Sequence, residues 1–214
     1  MILSCKTYLF FSLCILILHL SSFSQGKIVS THLTQKEIPK AIPYEGKFKN
    51  AIKWVDKSGE NIVIITETGE YQSRTESNED YRDAKLYAYH FSLKNNIFTQ
   101  TWKIQDFIYA CPVDIEAQFI PNTFQITDLN KNGIGEVWLM YKTVCHGDVS
   151  PSNMKIIMQE GSKKFAMRGR NRVEYGKGKF EGGEFTFDQA FLTGPSVFRD
   201  FAKALWNKNI MQVW

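Results

Sequence analysis

The stretch Asp128-Leu129-Asn130-Lys131-Asn132-Gly133-Ile134-Gly135-Glu136 lies between two apolar, β-type segments at residues 124–127 and 137–141. It carries side-chain oxygens at its first, third and fifth positions, a glycine at the sixth and a carboxylate at the ninth. Glycine permits a sharp turn, and a turning backbone can direct alternate side chains at one point. The stretch therefore predicts a tight bend that joins two neighbouring strands and sets the geometry of a β-rich body.

A Ca²⁺ ion at this bend would take oxygens from the side chains of Asp128, Asn130 and Asn132, the backbone carbonyl of Ile134 and the carboxylate of Glu136. Two formal negative charges remain and Lys131 partly offsets them, so we expect a dissociation constant on the order of 10⁻⁴–10⁻³ M. The alternative is a metal-free turn in which Asp and Asn side chains bond their own backbone.

The same nine residues resemble the calcium loop of FG-GAP-type repeats in integrin alpha chains and of VCBS-type repeats. In those repeats an Asp-rich loop joins two strands, which implies calcium binding here. This sequence departs from the pattern with asparagine at positions 130 and 132 and glutamate at position 136.

Two look-alike units, about 48–108 and 120–172, indicate an internal repeat. Each unit alternates β-branched or aromatic runs with polar turns, and an Asp-started turn, at Asp56 or Asp128, follows the first run. We therefore predict a mainly β protein, with two four-stranded antiparallel meander sheets that resemble propeller blades and pack together. Residues 25–47 are predicted to form an extended arm, and residues 48–214 a single β-rich domain.

An amphipathic helix is predicted over residues 195–208, because Val197, Phe198, Phe201, Ala202, Leu205 and Trp206 recur at helical spacing. Its apolar stripe is expected to cover an open sheet face, with contact to a membrane or partner as the alternative. Before it, residues 168–183 are basic and glycine-rich and are predicted to be a loop. In that segment Arg168, Arg170 and Arg172 recur every second residue and are candidates for binding a polyanion.

Residues 1–24 have the features of a secretory signal peptide, with Lys6 before an apolar run and small residues at Ser22 and Ser24. We expect cleavage after Ser24 and export to the periplasm or cell surface, with a retained anchor or lipid as the alternative. No transmembrane segment is expected after cleavage. Export argues against a nucleic-acid partner, and the net charge of +4 leaves anionic polymers or lipid headgroups as candidates.

Cleavage would leave Cys111 and Cys145 as the cysteines of the mature chain. An even pair in an oxidising compartment predicts a disulfide. Two free thiols, or a metal site that includes His146 and Asp148, are the alternatives.

His146 and Asp148 follow a predicted strand, and a disulfide would bring them toward Asp114 and Glu116. A histidine with carboxylates could perform acid–base chemistry, and paired carboxylates could cleave a glycoside. The alternative is a non-catalytic histidine in a turn, beside solvent-exposed carboxylates. The sequence contains no nucleophile elbow, HExxH motif or phosphate loop.

Four stretches, at residues 80–89, 111–116, 138–151 and 198–209, together resemble a family of small exported proteins of Bacteroidetes-type Gram-negative bacteria. That family is labelled surface polysaccharide biosynthesis, so the resemblance implies a role in the cell envelope. We therefore expect a non-enzymatic envelope protein that carries a weak calcium loop and binds anionic surface polysaccharide or envelope proteins. A glycan-acting hydrolase and an adhesive or interaction module are the alternatives.

Overall fold

The computed structural model describes residues 28–74 and 80–212. The predicted signal peptide at residues 1–24 lies outside the described residues. The strands are β1 (Ser30–Leu33), β2 (Lys47–Asp56), β3 (Gly59–Glu67), β4 (Tyr71–Gln72), β5 (Arg82–Lys94), β6 (Ile97–Cys111), β7 (Ile115–Phe119), β8 (Gln125–Thr127), β9 (Glu136–Cys145), β10 (Asn153–Glu160), β11 (Lys163–Arg170), β12 (Arg172–Gly176), β13 (Lys179–Gly182) and β14 (Phe185–Phe187). The helices are α1 (Gln189–Thr193) and α2 (Ser196–Asn209), and a 3₁₀ turn spans Gln35–Glu37.

Sheet 1 is a six-stranded antiparallel sheet in which β1, β2, β3 and β5 are neighbours in that order. Strand β5 pairs with β3 and β4 along one edge and with β6 along the other. The four strands predicted for the first unit are present as β2, β3, β5 and β6. The count of four is wrong because the arm contributes β1 and the segment after β3 contributes β4.

Sheet 2 is also six-stranded, with β14, β11, β10 and β9 in that order. Strands β7 and β8 pair with different halves of β9 along its far edge. The predicted second unit is present, and β7 and β14 extend it beyond four strands. The prediction of a loop over residues 168–183 is wrong, because β11 runs to Arg170 and β12 and β13 form a separate antiparallel hairpin.

The two sheets pack face to face around one apolar core. Sheet 1 contributes residues such as Ile52 and Leu86, and sheet 2 contributes Leu139 and Ile157, all of them buried. Burial of side chains from both inner faces is what holds a sandwich of this kind together. The prediction of packed antiparallel sheets in a mainly β protein is therefore confirmed.

The outer face of each sheet is covered in part, and a different segment of the chain covers each one. The arm packs Ile38 and Ile42 onto sheet 1. Helix α2 buries Phe198 and Trp206 against sheet 2, in a cluster that also holds Met140. The predicted C-terminal helix is confirmed, and its apolar stripe packs on the core.

A disulfide joins Cys111, at the end of β6 in sheet 1, to Cys145, at the end of β9 in sheet 2. The predicted disulfide is confirmed, and the alternatives of free thiols or thiolate metal ligands are wrong for these two cysteines. The bond closes a separation of 34 residues. Lost loop-closure entropy in the unfolded chain then stabilises the fold by about 3–4 kcal/mol.

Neither helix in the described part of the chain has the length and hydropathy needed to cross a lipid bilayer.

Candidate functional site

The loop at Asp128–Glu136 connects β8 to β9 and is held by hydrogen bonds to its own backbone. Asp128 accepts from the N–H of Gly133 at 3.1 Å, Asn130 Oδ1 from the N–H of Asn132 at 3.0 Å, and Asn132 Oδ1 from the N–H of Ile134 at 2.8 Å. These are the local side-chain-to-backbone turns that Asp and Asn favour.

Glu136 closes the loop from a fully buried position. Its carboxylate accepts from Thr127 Oγ1 at 2.6 Å and from the N–H of Leu129 at 2.9 Å. Burial raises the pKa of Glu136, although these hydrogen bonds oppose the shift. The closing carboxylate therefore serves as an acceptor for the loop and for the adjacent strand.

The side-chain amides of Asn130 and Asn132 both donate to Glu160 Oε1, at 2.6 and 2.7 Å. Among residues 28–74 and 80–212, no group of three or more His, Cys, Asp or Glu side chains is arranged to hold a metal ion. The hydrogen bonds are those of the metal-free turn, and calcium binding at this loop stays a prediction. A bound ion would compete with these internal N–H donors, which is a physical reason for weak affinity.

The same loop docks on the β2–β3 turn of sheet 1. The N–H of Gly135 donates to Asp56 Oδ2 at 2.9 Å, and the N–H of Lys57 donates to the carbonyl of Gly133 at 2.9 Å. Gly135 lies so close to the indole of Trp54 that an added Cβ would be 2.6 Å from Nε1. The two Asp-started turns of the predicted repeat thus meet at one end of the sandwich.

The residues proposed for acid–base chemistry are only partly brought together. The Nδ1 of His146 lies 3.5 Å from Asp148 Oδ1, beyond the usual length of a hydrogen bond, and among the described residues this nitrogen has no hydrogen-bond partner. The N–H of His146 donates to the backbone carbonyl of Asp114 at 3.1 Å. Asp148 is highly exposed, and hydrogen bonds from Ser150 lower the pKa of its carboxyl group.

Glu116 belongs to a different network, on the side of sheet 2 that faces the helices. It accepts from Ser152 Oγ at 2.8 Å and pairs with Lys142 at 3.3 Å. The contacts of Glu116 are therefore with groups other than His146 and Asp148, and the acid–base hypothesis has no support from hydrogen bonding among the four residues.

The three candidate arginines do not form one row. Arg168 and Arg170 lie two apart on β11, whereas Arg172 begins β12. Arg170 is paired with Glu184 and with Glu181. Within the described residues Arg168 has no ion pair, and with Lys155 it lines an open groove of about 550 Å³. The prediction that residues two apart on an extended chain share a side holds for Arg168 and Arg170.

An exposed aromatic surface on sheet 1 was not predicted from the sequence. Phe107 and Tyr109 on β6 are 47% and 46% exposed, and their ring centroids are 4.3 Å apart. The ammonium of Lys85 lies 5.4 Å from the ring centroid of Tyr109 and 5.9 Å from that of Tyr71. We call Tyr71, Lys85, Phe107 and Tyr109 the aromatic face.

The side chains of the aromatic face are held by contacts with one another. Hydrogen bonding to Tyr71 raises the pKa of Lys85, so the cation is stabilised beside the rings. Lys85 and Phe107 are opposite each other in the β5–β6 register, which places them on one side of the sheet. The sequence signal for this surface is the alternation Phe107-Ile108-Tyr109, which indicates that both rings lie on the same face of the sheet. The alternation does not indicate that this face is exposed to solvent.

Comparison of the chain with known protein families, with curated proteins and with solved structures gave no match. The fold and the surfaces described above define the class as an antiparallel β-sandwich, with helices over one sheet and an aromatic face on the other.

Proposed function

We propose that the protein is an exported, non-enzymatic protein of the cell envelope that binds an anionic surface polysaccharide through its aromatic face. The observation that carries the proposal is the pair of half-exposed, stacked rings of Phe107 and Tyr109, with the ammonium of Lys85 beside them.

Exposed aromatic rings lose apolar surface to water when a ligand covers them. The rings of Phe107 and Tyr109 are stacked with an angle of 28° between their planes, so each ring covers one face of the other. Phe107 and Tyr109 nevertheless stay 47% and 46% exposed, which leaves apolar ring surface for a ligand. The C–H side of a sugar ring is flat, weakly polar and of matching size. Stacking of sugar rings on these two side chains would therefore bury apolar area without leaving hydroxyl groups unsolvated.

Charge supports an acidic ligand. Lys85 supplies a cation within the aromatic face, and within the described residues it has no carboxylate partner in an ion pair. A carboxylate on the polymer would form a charge-assisted hydrogen bond with this ammonium. Arg168 adds positive charge in the groove on sheet 2, where Lys155 is already paired with Asp106.

The compartment and the polymer class are supported by the sequence. The signal-like residues 1–24 favour export, and the resemblance to exported polysaccharide-associated proteins favours an envelope glycan. The weak calcium loop at Asp128–Glu136 is part of this proposal as a structural element, because it lies at the end of the sandwich and apart from the aromatic face.

The test is isothermal titration of the mature protein with acidic polymers, such as polygalacturonate and alginate, and with neutral dextran. We expect binding to the acidic polymers, and a loss of about tenfold or more in affinity for Phe107→Ala and for Tyr109→Ala. Lys85→Gln should reduce the preference for acidic over neutral polymer. The matched control is Phe180→Ala, since Phe180 is 49% exposed on the β12–β13 hairpin.

Equal affinity of the wild type and both aromatic variants would overturn the proposal, and so would a lack of affinity for all acidic polymers. Because the altered side chains are exposed, thermal melting of each variant should match the wild type. Cleavage of any polymer by the wild type, lost in Asp148→Asn, would instead favour the hydrolase alternative.

A further inference from the structure

A second cleft lies on the opposite side of the molecule from the aromatic face, where β7, β9 and the end of α2 meet. It has a volume of about 390 Å³ and includes Gln118, Lys142, Lys208 and Asn209 in its lining. We call it the tail cleft. A cavity of this size is at the lower end of the range for small-molecule sites, so it suits one sugar residue rather than a chain.

A partly buried ion pair lines the tail cleft. Lys142 is 8% exposed, and its ammonium contacts Glu116 at 3.3 Å and donates to Gln212 Oε1 at 2.7 Å. An ammonium has three N–H donors, and within the described residues the third has no acceptor. Burial of a charge with an unused donor is costly unless a ligand or solvent satisfies it.

The acidic partner is already satisfied. Glu116 Oε1 accepts from Gln118 Nε2 at 2.8 Å, and Oε2 accepts from Ser152 at 2.8 Å. Lys208, at the rim, is exposed and has no ion pair among residues 28–74 and 80–212. Lys208 is therefore the cation of the tail cleft without a carboxylate partner among the described residues, and Lys142, although paired with Glu116, keeps one N–H donor for a ligand. Both features favour an anion.

Two amide oxygens add acceptors to the tail cleft. Gln118 uses its Nε2 for Glu116, and Asn209 uses its Nδ2 for the carbonyl of Leu205 at 2.8 Å. In the described part of the chain, the Oε1 of Gln118 and the Oδ1 of Asn209 accept no hydrogen bond. Free carbonyl-type oxygens suit hydroxyl donors. The apolar side chains of Ile120 and Pro121 complete the lining and suit the C–H edge of a ring.

We propose that the tail cleft binds one acidic sugar residue, with its anionic group at Lys142 and Lys208 and its hydroxyl groups at Gln118 and Asn209. This inference rests on the proposed function for the identity of the ligand as a polysaccharide component, but it uses a separate site. The tail cleft recognises the acid and hydroxyl pattern of a single residue, and the aromatic face binds the polymer by stacking.

The test is titration of the full mature protein with glucuronate, glucose 1-phosphate and glucose. We expect glucuronate or glucose 1-phosphate to bind about tenfold or more tightly than glucose, since each anion forms charge-assisted hydrogen bonds. Comparison of glucuronate with glucose 1-phosphate shows whether the anionic group is a carboxylate or a phosphate. Cyclohexanecarboxylate has a ring and an acid but no hydroxyl groups, so it should bind more weakly than glucuronate. Gln118→Ala should reduce the difference in affinity between these two ligands.

The matched variants are Lys208→Gln, which removes a rim cation, and Lys177→Gln, which removes an exposed cation from the β12–β13 turn. Lys208→Gln should weaken glucuronate binding about fivefold or more, and Lys177→Gln should leave it unchanged. Equal affinity for glucose and both anions, or equal affinity of Lys208→Gln and the wild type, would overturn the inference.

Phe107→Ala separates this inference from the proposed function. It should weaken polymer binding about tenfold or more and preserve glucuronate binding. Glucuronate binding without polymer binding would remove the proposed function and keep the tail cleft as a sugar-acid site. Polymer binding that Phe107→Ala weakens as expected, without binding of either anion, would remove only the tail-cleft inference.

Discussion

The N–H of Gly135 donates to Asp56 Oδ2 over 2.9 Å, and this bond joins the β2–β3 turn of sheet 1 to the loop that precedes β9 in sheet 2. The same carboxylate accepts from Trp54 Nε1 at 2.8 Å and from the N–H of Ser58 at 2.7 Å. Asp56 therefore organises its own turn, a core tryptophan and the neighbouring sheet. Burial opposes ionisation of Asp56, but these hydrogen bonds lower its pKa overall.

Asp56→Ala should destabilise the protein by about 3 kcal/mol, because it leaves the indole N–H of Trp54 and the N–H of Gly135 without their acceptor. Urea denaturation followed by tryptophan fluorescence measures the change. The control is Asp200→Ala, which removes an exposed carboxylate from α2. A loss no larger than that of the control would show that the link between the turns contributes nothing.

Gly135→Ala should be destabilising by about 1–3 kcal/mol, because its Cβ would lie 2.6 Å from Trp54 Nε1 and 3.1 Å from Ile126 Cγ2. The comparison is Gly147→Ala, where the added Cβ would meet Val113 at 3.6 Å, an ordinary contact. Thermal melting of the two variants checks this difference. Similar melting temperatures would mean that Trp54 moves aside without cost.

Acid should weaken the fold through His90, which is stacked between Trp54 and Trp102 with ring centroids 5.4 and 5.1 Å away. Burial lowers the pKa of His90 from 6.5 to about 4, against the opposing effect of Asp56. Between these values the unfolded chain binds a proton that the folded chain does not, so stability falls as the pH falls. Titration of His90 leaves the free energy of unfolding unchanged above about pH 6.5 and lowers it by about 3 kcal/mol by pH 4.

Urea denaturation at pH 7, 5.5 and 4 tests this dependence, with His90→Gln as the variant. The variant should be less stable at pH 7 but should lose less between pH 7 and pH 4. A pH dependence identical to that of the wild type would assign the acid sensitivity to other groups.

Reduction of the disulfide between Cys111 and Cys145 should cost about 3–4 kcal/mol in the free energy of unfolding. The double variant Cys111→Ser, Cys145→Ser should lose a similar amount without a reductant. Denaturation of both proteins with and without dithiothreitol separates the two effects. If dithiothreitol destabilises the double variant as much as the wild type, its effect does not come from reduction of this disulfide.

Calcium should stabilise the protein weakly if the loop at Asp128–Glu136 binds it as predicted. A site with a dissociation constant of about 1 mM would add about 1.4 kcal/mol at about 10 mM Ca²⁺. Calorimetry and thermal melting in Ca²⁺ and in Mg²⁺ measure this, with Asp128→Ala as the variant that abolishes it. Absence of heat and of a melting shift at about 10 mM Ca²⁺ would leave the metal-free turn as the whole role of the loop.

Much of the fold follows from local sequence. Alternating apolar residues and turn residues predict the sheets, and the stripe that includes Phe198 and Trp206 predicts the helix that covers one of them. The β12–β13 hairpin was predicted as a loop because its glycines and basic residues, including Gly176 and Gly178, are typical of loops. It forms because Val173 is buried and because Arg172 pairs with the segment after α2.

The candidate surfaces depend on tertiary packing, and the sequence indicates them poorly. Tyr87 and Phe107 both lie on the outer side of sheet 1, yet Tyr87 belongs to the cluster covered by the arm and Phe107 is exposed. Which of them is open depends on where the arm lies. Likewise, Lys142 and Lys208 are far apart in sequence and meet only because α2 packs across sheet 2.

The disulfide at the end of β9 and the Asp56–Gly135 bond at its start fasten the same pair of sheets at opposite ends of one strand. A polymer held on the outer side of sheet 1 would pull on that sheet alone. Because the sheets are linked at both ends, this load is shared with sheet 2 and with the helix packed on it. The two links therefore resist shear between the sheets, which is the load that the proposed polymer binding would apply.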